Sequence, residues 1–82
     1  MILVDIYVPS IGNTYDFQLD EEVPVGNVIE EISEMIGQKE HCRIVGDMTK
    51  LMLCAQKDRQ ILHRDDTLEL CHIVTGDSLL LV

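Results

Sequence analysis

Basic residues are scarce in this chain. Six Lys and Arg stand against fifteen Asp and Glu in 82 residues, a formal charge of −9. A nucleic-acid duplex is bound by clusters of Lys and Arg that displace counterions, and six thinly spread cations form no such cluster. The same shortage argues against an anionic lipid surface and suits a basic partner, or simply a soluble acidic protein. Long apolar runs are missing too. The cleanest, residues 1–4 and 79–82, fall far short of the roughly 18 apolar residues that a membrane span needs. The amino terminus has neither a basic n-region nor a cleavage site, so no signal peptide is predicted and the expected location is the cytoplasm. Cysteine is sparse. Cys42, Cys54 and Cys71 are odd in number and 12 and 17 residues apart, which predicts reduced thiols and not a disulfide framework.

What remains suits one small globular domain over residues 1–82, with 46% hydrophobic residues. A chain of this size buries roughly 60% of its unfolded surface, and its net stability should be roughly 4–12 kcal/mol.

Along the chain the apolar period switches. Val4, Ile6 and Val8 alternate with Leu3, Asp5 and Tyr7, which predicts a half-buried strand over 2–8. Pro9, Ser10, Gly12 and Asn13 form a dense turn signal of about five residues. Tyr15, Phe17 and Leu19 alternate over 14–20, completing a hairpin. The period then becomes helical: Val25, Val28, Ile29, Ile32, Met35 and Ile36 fall on one face, with Pro24 at the start and Gly37 as the stop. Glu30, Glu31 and Glu34 make the outer face acidic. Residues 38–49 have mixed polarity and fit no single element. Strands follow at 50–56, 60–62 and 78–82, with a turn-like apolar element at 67–73. This order predicts an α+β fold, one helix packed across a mixed sheet of four or five strands, with the last strand inserted parallel to the first. That is a β-grasp arrangement.

The residues offer little chemistry. His41–Cys42 and Cys71–His72 invite a zinc site, but adjacent strand residues point to opposite faces and the spacing is not that of a zinc motif. Cys71 is expected to pack with Leu68 and Ile73. Iron–sulfur ligation needs cysteines clustered in one loop, which these are not. His63, Arg64, Asp65 and Asp66 read as a solvated turn, and Thr75-Gly76-Asp77 lacks the glycine pattern of a phosphate loop. No catalytic residue, cofactor or metal is predicted.

Several stretches carry a family resemblance. The hairpin turn, Asn27 to Ile32 with the helix end at Gly37, and Thr67 to Ile73 before the last strand resemble ubiquitin-like β-grasp proteins. Val4 to Val8, Val23 to Ile29 and Leu70 to Val82 are more closely similar to the YukD/EsaB group, small ubiquitin-like proteins encoded with bacterial type VII (WXG100) secretion systems. The resemblance implies a non-enzymatic protein-binding module, an accessory or regulatory component of such a system. It implies a machine component or regulator as partner. A membrane protein fits, because a larger relative carries a ubiquitin-like domain fused to a membrane channel. In ubiquitin the open sheet face holds the partner-binding patch; the matching positions here are Gln56, Leu80 and Val82. Met52, Cys54, Leu80 and Val82 on that face, and Glu30, Glu31 and Glu34 on the helix, are therefore the candidate binding residues. The sequence has no GlyGly tail, which disfavours a conjugated modifier or sulfur carrier as the alternative; a generic scaffold subunit and an edge-strand homodimer remain open.

Overall fold

The computed structural model describes residues 1–39 and 51–82. The elements run β1 (Ile2–Val8), β2 (Asn13–Leu19), α1 (Val25–Lys39), β3 (Leu53–Ala55), β4 (Gln60–Leu62) and β5 (Ser78–Leu81). The strands form one five-stranded sheet in the order β2-β1-β5-β3-β4. β1 and β5 are parallel, and the other neighbours are antiparallel. The β-grasp arrangement expected from the element order is the one observed.

Alternation decides which face each strand buries. Val4, Ile6 and Val8 of β1, Tyr15 and Leu19 of β2, Leu53 and Ala55 of β3, Leu62 of β4, and Leu79 and Leu81 of β5 are all buried. They share one core with Val25, Val28, Ile29, Ile32 and Ile36 of α1. Each large aliphatic side chain taken fully from water contributes about 1.5–3 kcal/mol, so this one interface holds the helix to the sheet. Leu68, Cys71 and Ile73 close the core from the turn segment, as expected for Cys71. Burial raises the Cys71 thiol pKa, with the charges of Asp66 and Asp58 adding to the rise.

Several boundaries differ from the sequence reading. The β1–β2 turn has four residues, because Asn13 already pairs with Val8. Ile11 N–H and Gly12 N–H both donate to Val8 O, and Gly12 takes a left-handed φ of 78°, which glycine adopts at no steric cost. The helix passes Gly37 and ends at Lys39, whose ammonium lies over the Tyr15 ring at 5.3 Å from its centroid. Gly37 is thus a helix residue and not its stop. Ser33 is buried on the core face and Met35 only half-buried, so the inward stripe is rotated from the apolar one. The strand expected over 50–56 is short, Leu53–Ala55. Residues 40–50, which hold His41, Cys42, Met48 and most of the uncertain stretch 38–49, lie outside the described residues.

The charged segment 63–66 does more than face solvent. Val25 N–H donates to Asp66 O at 2.7 Å and Gly26 N–H to Arg64 O at 3.0 Å. The first N–H groups of a helix have no partner within it, and here two backbone carbonyls supply one. Arg64 also donates to Leu51 O at 3.1 Å, from a half-buried position. The expectation of a merely solvated turn is corrected accordingly.

Candidate functional site

The core covers one face of the sheet and leaves the other open. The strand register places one side chain from each strand in a single row across that face. Thr14 pairs with Tyr7, Tyr7 with Leu80, Leu80 with Cys54, and Cys54 with Ile61. One step along β3 and β5, Met52 and Val82 exchange both backbone hydrogen bonds, at 2.7 and 2.9 Å. Directly opposed residues in a sheet project to the same side. Six apolar or thiol side chains, Tyr7, Met52, Cys54, Ile61, Leu80 and Val82, therefore meet on the open face. Ile61 is 52% exposed, Met52 45%, Val82 43% and Tyr7 37%; Cys54 and Leu80 at the centre are half-buried.

The sequence-predicted residues thus divide. Met52, Cys54, Leu80 and Val82 are brought together, while Gln56 lies beside them where its N–H donates to Ser78 O. Glu30, Glu31 and Glu34 are exposed on α1, which covers the opposite face of the sheet, so they belong to a separate surface. Sequence reasoning missed Tyr7 and Ile61. Tyr7 was visible as an outward residue of the first strand, but only the five-strand register shows that it adjoins Leu80. Ile61 sits in a three-residue strand too short to reveal its face.

Beyond the apolar row the face turns acidic. Asp5 and Asp16 stand directly opposite each other on β1 and β2. Like charges at that position repel. A hydrogen bond shared with Asp16, then its negative charge, then burial raise the Asp5 pKa above the ordinary carboxylate value. A carboxyl raised in the folded state stabilises the fold below its unfolded pKa and ceases to do so as pH rises through the folded one. Asp5→Asn should therefore raise the melting temperature at neutral pH, and the gain should shrink as acid protonates the wild type. A variant no more stable than wild type at neutral pH would show that the repulsion is screened.

Next to the apolar row, Cys54, Ala55, Gln56, Arg59 and Leu80 line a shallow depression. Among the described residues no group of three or more His, Cys, Asp or Glu is placed to hold a metal ion. Cys71 is buried and its neighbour His72 exposed, while the other half of the imagined zinc site, His41–Cys42, lies outside the described residues. No described helix is long and apolar enough to cross a membrane.

Comparison with known proteins places this geometry. The sequence matches the family described as "WXG100 protein secretion system (Wss), protein YukD" over residues 2–81. No curated protein matches it. The fold is similar to the N-terminal ubiquitin-like domain in the 4931431F19Rik protein, with a TM-score of 0.74 and 25% identity, covering 99% of this chain and 72% of that one. It is similar to Caldiarchaeum subterraneum ubiquitin, with a TM-score of 0.72, 18% identity, and 98% and 89% coverage. It also resembles ATBAG1, solved in complex with HSP70, with a TM-score of 0.75, 11% identity, and 100% and 40% coverage.

Proposed function

The chain belongs to the YukD family of the WXG100 protein secretion system, and from that premise we propose that it is a non-enzymatic docking module, an accessory or regulatory part of the secretion machine working in the cytoplasm. The observation that carries this reading is the row of apolar side chains held in register on the open sheet face. A contiguous apolar patch rimmed by polar groups marks an interaction surface. Here it is centred on the Cys54–Leu80 pair.

The partner is a protein component or regulator of the same machine. The chain's charge of −9 and the exposed Glu30, Glu31 and Glu34 suit a partner with a basic region, through faster encounter more than through tighter contact.

The test is a pull-down from the native cell with identification of the captured proteins. Wild type should recover secretion-machine components. Leu80→Asp, which sets a charge at the centre of the patch, should lose them while retaining a cooperative melting transition. A triple Glu→Gln change at Glu30, Glu31 and Glu34 should slow capture without abolishing it. Equal recovery by Leu80→Asp and wild type would move the interface off the sheet. Covalent attachment of the chain to other proteins would overturn the reading in favour of a modifier.

A further inference from the structure

Among the described residues there are four Lys and Arg side chains, and three are engaged. Lys39 lies over the Tyr15 ring. Lys57 donates to His72 O and to Asp77 Oδ2. Arg64 donates to Leu51 O. Arg59 makes no hydrogen bond, ion pair or ring contact with a described residue, and it is exposed. No acidic side chain among the described residues claims this guanidinium.

Its position is specific. Arg59 closes the turn from β3 to β4 with a φ of 53°, in the left-handed region that residues bearing a Cβ rarely adopt. Glycine would take that conformation more easily, so the turn itself gives no reason for an arginine. Arg59 lines the depression together with Cys54, Ala55, Gln56 and Leu80. An apolar floor beside a free, planar, five-donor cation is a matched pair of features: the floor takes a hydrocarbon side chain and the guanidinium a carboxylate. Arg is also among the residue types enriched at the few positions that carry most of the binding energy of protein interfaces.

We infer that this depression receives one apolar side chain of a partner-protein segment whose neighbouring carboxylate pairs with Arg59. The inference rests on the sheet face being the docking surface and adds the chemistry of the segment it reads. The acidic helix and this sheet margin then read opposite charges, because they lie on opposite sides of the molecule. A bare anion lacks the hydrocarbon that the floor requires, so inorganic phosphate should bind no more tightly to wild type than to Arg59→Gln.

Selection of phage-displayed random peptides on the full chain tests this. The expected winners carry Leu, Ile, Met or Phe next to, or one residue removed from, Asp or Glu. A synthetic peptide of a winning sequence should bind Arg59→Gln about tenfold or more weakly. Arg59→Glu should lose it and regain binding when the peptide's acidic residue is replaced by Lys. Arg59→Gly, which suits the backbone, should be at least as heat-stable as wild type and still fail to bind. The inference is overturned if the winners lack the acidic–apolar pair, if no peptide is enriched, or if Arg59→Gln binds as wild type does. Peptides lost by Leu80→Asp but kept by Arg59→Gln would remove this inference and leave the sheet-face reading standing. Peptides kept by both variants would remove both.

Discussion

Leu79→Ala is expected to lower the free energy of unfolding by about 3 kcal/mol, within the roughly 2–5 kcal/mol that such truncations cost. Leu79 is fully buried in β5, paired with Ile6 on one side and Ala55 on the other. Its neighbour across β3 is already the smallest side chain of the inner face, so little can move in to fill the space. Against a total of roughly 4–12 kcal/mol, that loss leaves a marginal fold. Urea denaturation should show a lower midpoint at an unchanged slope. The adjacent Leu80 faces the other way, and Leu80→Ala should cost less than about 1 kcal/mol. Equal costs at the two positions would mean that the inner and outer faces of β5 are not as distinct as the register requires.

Asp77→Ala should cost about 1–2 kcal/mol at neutral pH. The Asp77 carboxylate accepts Val74 N–H at 2.8 Å and Lys57 Nζ at 2.9 Å, and Lys57 donates again to His72 O at 2.7 Å. One acidic side chain thus ties the β3–β4 turn to the turn that launches β5. The Val74 N–H, and after it the hydrogen bond from Lys57, hold the Asp77 pKa below the ordinary carboxylate value; burial opposes them, and the charge of Lys57 adds a smaller lowering. A carboxyl lowered in the folded state stabilises the fold above its unfolded pKa of about 3.9 and loses that effect as pH falls through the folded value. The gap between wild type and Asp77→Ala should therefore narrow in acid. Lys57 is 41% exposed, so solvent screens its share, and Lys57→Met should cost less than Asp77→Ala because Val74 keeps its acceptor. A gap that stays constant into strong acid would assign the effect to packing and not to charge.

The legible parts of the molecule were those set by neighbours in sequence. β1, β2 and most of α1 follow from the period of their own apolar residues. So does the parallel insertion of β5, because a helix between two hairpins leaves few ways to cover one sheet. What sequence could not give were contacts between distant segments. The α1 start is completed by carbonyls of Arg64 and Asp66, about forty residues on, and nothing local marks those residues as acceptors. Gly37 was a plausible stop by propensity, yet the helix continues over it to Lys39, which lies above Tyr15 of β2. The binding face shows the same division. Met52, Cys54 and Leu80 were found by alternation within two strands, and Val82 by its match to the ubiquitin patch. Tyr7 and Ile61 join them only through pairing across the sheet, and Arg59 through a turn conformation that its residue type does not announce.

The sheet order carries a consequence for synthesis. The central strand β5 and its neighbour β1 are the last and the first of the five described strands to leave the ribosome. Until Ser78–Leu81 emerges, the β1–β2 hairpin and the β3–β4 hairpin have no strand between them and cannot share one core. Folding of so non-local a sheet is slow relative to helical domains of similar size. The nascent chain therefore waits, with its first hairpin's inner face uncovered, for a strand of four residues that is the last of the five to be made. Any event that stalls translation before that strand yields two half-sheets and no domain, so the apolar row of the open face is assembled only on chains that have been read through β5.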